Sequence, residues 1–271
     1  MNVEVALIPA AGRGTRMRPA TNAIPKALLT VVDRPGIQWV VEEAARAGVT
    51  EVVVVVDPDG GDIIYRHFEE SLYLPSVADV KVRTIVQAEA KGLGHAVLTG
   101  QEEIGLRPFF VLLADDLIRP SDDILTGLAR AAHPDRSAVY VRKVSDRLLG
   151  AKGVVETGEW VSPSVMNISG AVEKPGHLAA PSNYAIHGRY LFTPEIFDYL
   201  AGLSPGYDGE VQLTDAIAEL GAAGRCRAYL AEVDLFDVGN PLGFLQANTV
   251  LGLDDPNYRT GYQAIIDEIR G

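Results

Sequence analysis

The 271-residue chain has a single cysteine, Cys226, which excludes an internal disulfide and a cysteine-rich zinc site and reads most simply as a core residue near a strand. No apolar run approaches the ~20 residues needed to cross a membrane, although 47% of the chain is hydrophobic. Positive charge is scarce. With 24 Lys and Arg against 36 Asp and Glu, the formal net charge of −12 has the wrong sign for nonspecific contact with nucleic acid or a membrane surface. The five histidines show no H-E-x-x-H spacing, and no G-x-S-x-G elbow is present for serine-hydrolase chemistry. Met1-Asn2-Val3-Glu4 lacks the basic region and cleavage pattern of a signal peptide, so a cytoplasmic protein is expected. Internal repeats, long linkers and low-complexity segments are lacking too, and residues 1–271 read as one continuous domain.

Two common phosphate-binding motifs are also missing. No Gly-Lys pair occurs, which removes the P-loop, and Met17 stands where the dinucleotide fingerprint needs its third glycine. What does occur is a local reversal of charge. After the apolar run Val3–Ile8, read as a buried strand, comes Ala10-Ala11-Gly12-Arg13-Gly14-Thr15-Arg16-Met17-Arg18-Pro19, running on to Pro25-Lys26. No acidic residue lies between Glu4 and Asp33, while Arg13, Arg16, Arg18 and Lys26 all fall there. Glycines let backbone N–H groups close on an anion, and neighbouring cations hold polyphosphate charge. The stretch reads as a nucleotide phosphate cradle, although Arg13 and Arg18 are equally well read as solvated surface cations.

Beyond the cradle, helices and strands alternate. A helix is expected over 35–48, with Asp33 as a possible N-cap, then a strand over 50–56, a helix over 63–71 and a strand over 80–86. A helix over 94–103 and a strand at 109–113 follow. This βαβα order predicts a mostly parallel sheet wrapped by helices, with ligands at the carboxyl ends of the strands. The second half is less regular: strands at 138–144, 153–156, 165–172, 184–192 and 226–233, and helices at 194–201, 213–223, 241–251 and 258–269.

The pattern Gly12-x-Gly14-Thr15-Arg16-x-x-Pro19-x-Thr21-x-x-x-Pro25-Lys26 resembles the signature of nucleotidyltransferases that make nucleotide sugars, specifically the bacterial UTP:glucose-1-phosphate uridylyltransferases. The resemblance runs from Ile8 to about Ala247. It implies a Rossmann-like, GT-A-like domain whose residues 1–120 bind the nucleotide, 121–240 the sugar phosphate, and 241–271 form C-terminal helices. The implied reaction is attack by a sugar 1-phosphate oxygen on the α-phosphorus of a nucleoside triphosphate, with loss of pyrophosphate. Both reactants are anions, so the protein must chiefly neutralise charge and align the attacking and leaving oxygens.

The resemblance assigns roles residue by residue. Ala10, Ala11, Gly12, Gly14 and Thr15 form the cradle, with Arg16 near the triphosphate and Lys26 near the α-phosphate. Gln87 and Gly92, in a segment continuing Lys91-Gly92-Leu93-Gly94-His95-Ala96, correspond to the base-reading part. An amide that both donates and accepts suits the edge of uracil. Asp115 and Asp237 are the implied Mg²⁺ ligands, with Asp116 doubtful. On the sugar side stand Gly153, Glu173, Lys174, Asn183, Gly188 and Glu210, with Arg189-Tyr190 beside them and Thr214-Asp215 as helix-start structure. Implied partners are UTP or dTTP and a sugar 1-phosphate, in a homodimer or homotetramer without nucleic acid or membrane.

Three departures bear on specificity. Asn22 and Ala27 replace residues usually charged, Ala114 stands where proline is common, and the segment from about Phe68 to Val80 is short. The last keeps glucose-1-phosphate thymidylyltransferase open. An inactive regulatory paralogue is disfavoured by retention of Lys26, Asp115, Lys174 and Asp237. A glycosyltransferase using Asp115-Asp116 is disfavoured by the Gly-Thr-Arg signature and Pro25-Lys26.

Overall fold

The run Val52–Val56 packs into two cores at once: Val52, Val54 and Val56 join one hydrophobic cluster, Val53 and Val55 the other. Successive side chains of a strand point to opposite faces, so an unbroken β-branched run is stable only where helices cover both. The computed structural model, which describes residues 1–69 and 75–270, has that layered arrangement.

Chain order begins with β1 (Val5–Pro9), the glycine-rich loop, and a short hairpin of β2 (Thr30–Val31) and β3 (Arg34–Pro35). There follow α1 (Gly36–Arg46), β4 (Glu51–Val56), α2 (Gly61–Glu69), β5 (Lys81–Val86), α3 (Leu93–Thr99), α4 (Gln101–Ile104) and β6 (Phe109–Leu112). These strands lie in the order β5-β4-β1-β6, all parallel. β4 and β5 go to one side of β1 and β6 to the other, so the connections diverge and leave a crevice at the carboxyl ends of β1 and β6. The cradle leaves β1 into that crevice. Asp115 enters it just past the end of β6.

The chain continues through β7 (Asp116–Ile118), α5 (Ile124–Ala131), β8 (Ser137–Lys143), β9 (Gly153–Ser162), β10 (Val165–Glu173), α6 (Gly176–Ala179), β11 (Tyr184–Phe192) and α7 (Ile196–Gly202). α8 (Leu213–Ala222), β12 (Cys226–Leu230), β13 (Leu235–Asp237), α9 (Pro241–Asp254) and α10 (Arg259–Arg270) complete it. The sheet extends beyond β6 as β11-β8-β12-β10-β9, nine strands among the described residues. β11 runs antiparallel to both β6 and β8, so the mixed character of this α/β sheet belongs to its second half.

Three local expectations change. The helix expected over 94–103 breaks at Gly100, where a Cβ would lie 2.1 Å from Leu7 Cδ1, so only glycine lets the chain pass this close to β1. β9 runs on to Ser162 as half of a long hairpin whose register shifts three times. Asp33 does not cap α1; it accepts from the Arg34 guanidinium, and Pro35 occupies the cap position. Ser71, the expected end of α2, and part of the short 68–80 segment lie outside the described residues. Cys226 is buried in β12, where burial pushes its thiol up to about 12 and leaves it an inert core residue.

Candidate active site

The loop after β1 is shaped to leave backbone open on one side and to seat a lysine on the other. A Cβ at Gly12 would meet nothing within 4 Å, so an anion can approach its backbone freely. Gly14 adopts φ +59, a left-handed conformation natural to glycine, and packs 3.1 Å from Lys26 Cβ at its ideal Cβ position. Thr21 Oγ1 donates to the Gly14 carbonyl at 2.8 Å and closes the loop. Pro25 then feeds the short turn Lys26–Leu28, which points Lys26 inward. Ala11, Gly12 and Thr15 line a cavity of about 520 Å³, and Ala11, Gly12 and Lys26 an adjoining one of about 420 Å³. The Ala10 N–H, by contrast, is spent on the Val55 carbonyl at 2.7 Å, so Ala10 belongs to the sheet rather than to the open cradle.

Asp115 and Asp237 are 122 positions apart in the chain and adjacent in space. β13 pairs antiparallel with β7, placing Asp237 opposite Asp116, and the Val238 N–H donates to the Asp115 carbonyl at 2.8 Å. Asn240 caps α9 by accepting from the Gly243 N–H, while its own amide donates to the Asp237 carbonyl at 3.0 Å. A Cβ at Gly239 would sit 2.6 Å from Asp115 Oδ2, 2.8 Å from Arg16 Nη2 and 2.9 Å from Asp237 Oδ1, so this glycine leaves room where the two carboxylates and the guanidinium converge.

Two cations compensate the pair. Lys26 Nζ donates to Asp115 Oδ2 at 2.5 Å, and Arg16 spans 3.8 Å to Asp115 and 3.5 Å to Asp237. Burial pushes the Asp115 carboxyl up, but Lys26, helped by Lys152 and Arg16, outweighs it and holds the group below the usual carboxylate range. Ionised oxygens around a small hollow suit a hard divalent cation that takes one or two carboxylates and completes its shell with phosphate oxygens and water. Among the described residues no cluster of three or more acidic, histidine or cysteine side chains is disposed to hold a metal by itself. Asp116 is not available for it. The residue is 2% exposed, and its carboxylate accepts from the Gly188 N–H at 3.1 Å and pairs with Lys152 at 3.6 Å.

The wall of the larger cavity is built by β5 and α3. Gln87 is buried, and its Nε2 donates to the Gly92 carbonyl at 3.2 Å and meets His95 Nδ1 at 2.8 Å. Its Oε1 makes no hydrogen bond to the described residues and can accept from a base N–H. Gly92 has φ +97, and a Cβ there would clash with Glu210 Cβ at 2.7 Å. Glu210, expected on the sugar side, therefore sits against the Gln87–Gly92 wall and lines the 520 Å³ cavity.

On the other side of Asp115 lies a smaller cavity of about 230 Å³, bordered by Arg16, Lys152, Gly153, Glu173, Gly188 and Asp237 among others. A Cβ at Gly153 would lie 2.6 Å from Thr214 Oγ1, which itself donates to Glu173 Oε2 at 2.6 Å. Thr214 thus orients Glu173 rather than merely starting α8. Gly188 is equally tight, with Asp116 Oδ2 at 2.7 Å from its ideal Cβ. Lys174 has φ +45, and its Nζ lies 3.5 Å from Glu173 Oε1 and 4.8 Å from the centre of the Tyr207 ring. Lys174 and Asn183 lie outside the lining of this cavity; the Asn183 carbonyl accepts from the Val144 N–H at 2.9 Å.

Sequence reasoning missed Lys152 and misread Arg189. Lys152 stands directly before Gly153, and that adjacency was the available signal. Arg189 is fully buried and belongs to the scaffold: its guanidinium grips Glu43 of α1 through two bonds of 2.8 and 2.6 Å and donates to the Leu113, Gly188 and Asp116 carbonyls. It clamps the turn that carries Asp115 from beneath. Its burial and its bond to Glu43 on α1 distinguish it from a pocket arginine.

A doubly wound half-sheet, an open glycine loop with inward cations, and an acidic pair brought together at its crevice define a nucleotidyltransferase. Residues 5–252 match the model of the nucleotidyl transferase family, and the chain belongs to that family. It is 38% identical to UTP–glucose-1-phosphate uridylyltransferase 2 of Staphylococcus saprophyticus, with 93% of each chain covered. Identity is also 38% to UTP–glucose-1-phosphate uridylyltransferase of Bacillus subtilis, covering 95% of this chain and 94% of that one. Among solved structures, a UDP-glucose pyrophosphorylase complexed with UDP-glucose superposes with a TM-score of 0.84 at 35% identity, covering 92% of this chain and 98% of that one. UTP-bound UGPase of Acinetobacter baumannii superposes with a TM-score of 0.84 at 32% identity over 98% and 99% of the two chains.

Proposed function

We propose that the protein transfers a uridylyl group from UTP to glucose 1-phosphate, giving UDP-glucose and pyrophosphate, with Mg²⁺ held by Asp115 and Asp237. The observation that carries this reading is the position of Asp115, which borders both the cavity walled by Gln87 and Gly92 and the smaller one walled by Gly153 and Glu173, where Asp237 joins it. Relatives bearing the uridylyltransferase name, together with neighbours described with UTP or UDP-glucose bound, supply the choice of nucleotide and sugar.

The triphosphate lies along the Ala11–Thr15 backbone with Lys26 turned toward its phosphates, and Arg16, which borders the smaller cavity, reaches them from its place beside Asp115 and Asp237. Lys26 exchanges its bond to Asp115 for the α-phosphate as negative charge grows there, and its compact ammonium follows the moving group. Asp115 and Asp237 would hold the ion, which would supply positive charge against the phosphate oxygens. Glu173, held by Thr214, accepts from sugar hydroxyls. The attacking phosphate oxygen is already an anion, so no side chain need remove a proton, and holding the two reactants in line is the main contribution of the chain. Gln87 Oε1 accepts the N3–H of uracil, a hydrogen that cytosine lacks.

Pyrophosphate release over a grid of four triphosphates and several sugar 1-phosphates, with and without Mg²⁺, tests the proposal. UTP with glucose 1-phosphate and Mg²⁺ should give the highest kcat/KM; faster turnover with dTTP or another sugar phosphate would replace the assignment, and no turnover in any well would remove it.

A further inference from the structure

A glutamine amide can turn either of two atoms toward a ligand, an oxygen that accepts or a nitrogen that donates. At Gln87 the choice decides which base fits. The Gly92 carbonyl lies 3.2 Å from the amide, and a carbonyl only accepts, so the atom beside it is Nε2. One Nε2 hydrogen remains, and His95 Nδ1 lies 2.8 Å away. Facing a donor, Nδ1 must accept, which puts the proton of a neutral imidazole on the other ring nitrogen. Both amide hydrogens are then committed, and Oε1 alone is left for the ligand.

His95 does this from outside the cavity. Its neighbours Leu93 and Ala96 line the 520 Å³ space, but His95 does not. The start of α3 is pinned, because the Gly94 N–H donates to the Val211 carbonyl at 2.9 Å and a Cβ at Gly94 would lie 2.7 Å from that oxygen. The Thr99 hydroxyl donates back to the His95 carbonyl at 2.8 Å. Gln87 is anchored in turn by its own N–H, which donates to the Val56 carbonyl at 2.8 Å. The bond between the two side chains thus joins two fixed stretches of backbone.

We propose that His95 is a specificity-determining positioning residue, which keeps the Gln87 amide oxygen turned toward the base by accepting from Nε2. The site then admits a base with an N–H on that edge, as uracil has, and turns away cytosine, whose N3 presents a lone pair to Oε1. Without His95 the Gly92 carbonyl alone holds the amide, which can rotate and offer Nε2 to cytosine. The inference rests on the uridylyl reading above.

Calorimetric binding of UTP and of CTP, without sugar phosphate, to wild type, H95L, H95N and H95Q tests it. An asparagine oxygen reaches about where Nδ1 stands, whereas a glutamine oxygen reaches toward the other ring nitrogen. H95L should lower the ratio of UTP to CTP affinity about fivefold to twentyfold. H95Q should resemble it, and H95N should restore the wild-type ratio within about twofold. Loosening of α3 would weaken both triphosphates alike, so an unchanged ratio in H95L would make His95 structural and overturn the proposal. Failure of H95N to restore the ratio would overturn it too, and the H95Q and H95N pair carries the same comparison should H95L not fold. No preference for UTP over CTP in wild type would overturn the base assignment itself, an outcome distinct from a preference that survives H95L.

Discussion

The two sides of Asp115 are built by opposite means. On the nucleotide side, parallel strands end in loops that offer backbone, and open cavities of about 420 and 520 Å³ border Gly12, where an added Cβ would touch nothing. On the sugar side, antiparallel strands bring side chains face to face around about 230 Å³, and added Cβ atoms at Gly153 and Gly188 would meet polar atoms at 2.6 and 2.7 Å. The difference fits what the proposed reaction asks of each side. A flexible polyphosphate is gripped by N–H groups and mobile cations, whereas a hexose is distinguished by fixed hydroxyl partners, which have to be tied to one another beforehand, as Thr214 ties Glu173.

The shared boundary should give the largest effect. Lys26→Ala or Asp115→Ala should lower kcat by about a thousandfold, with thermal unfolding little changed because both groups face the cavity; near-normal turnover in both would remove the mechanism. Next comes the clamp beneath it. Arg189→Ala leaves Glu43 buried and unpaired, and chemical denaturation should show a loss of about 3–5 kcal/mol, affecting both halves alike.

A third measurement separates the scaffold of the sugar half from its site. His187 is buried in β11, neither ring nitrogen finds a partner among the described residues, and burial lowers its pKa to about 3. The folded value lies below the ordinary 6.5, so under that pH the unfolded chain takes up a proton the folded chain refuses. Stability is complete above pH 6.5 and declines as pH falls toward 3, by about 2 kcal/mol at pH 5 from this residue. Urea denaturation at pH 7.5 and 5 should show that loss in wild type and a smaller one in His187→Phe.

The smallest effects sharpen the contrast most directly. Gly12→Ala has room for its methyl and should leave stability within about 0.5 kcal/mol of wild type, while KM for UTP rises several-fold because the methyl obstructs the backbone. Gly153→Ala must displace Thr214 from Glu173 and should raise KM for the sugar phosphate instead. If both substitutions changed the same KM, the division of labour across Asp115 would be wrong.

Much of the first half was legible in the chain. Its β-branched strands, glycine loop and basic cluster are local patterns, and a βαβ crossover leaves few ways to arrange them. The break at Gly100 and the length of β9 were not legible, because a close approach to Leu7 and a hairpin partner are facts about other segments. The same reason explains why Arg189 read as a pocket residue: nothing near it in sequence announces Glu43, 146 positions away.

Sequence alone determined the family pattern, the layered first half, and which lysines and aspartates were available to handle phosphate, since these depend on residue type and short spacing. Tertiary structure decided which of them meet. The β13–β7 pairing sets Asp237 beside Asp115, while Glu210 goes to the Gln87–Gly92 wall and Lys152 to the aspartates, with Lys174 resting over Tyr207. Coulomb forces and hydrogen bonds act over a few ångströms of space regardless of how many residues lie between, so only the packed chain assigns each charge its partner.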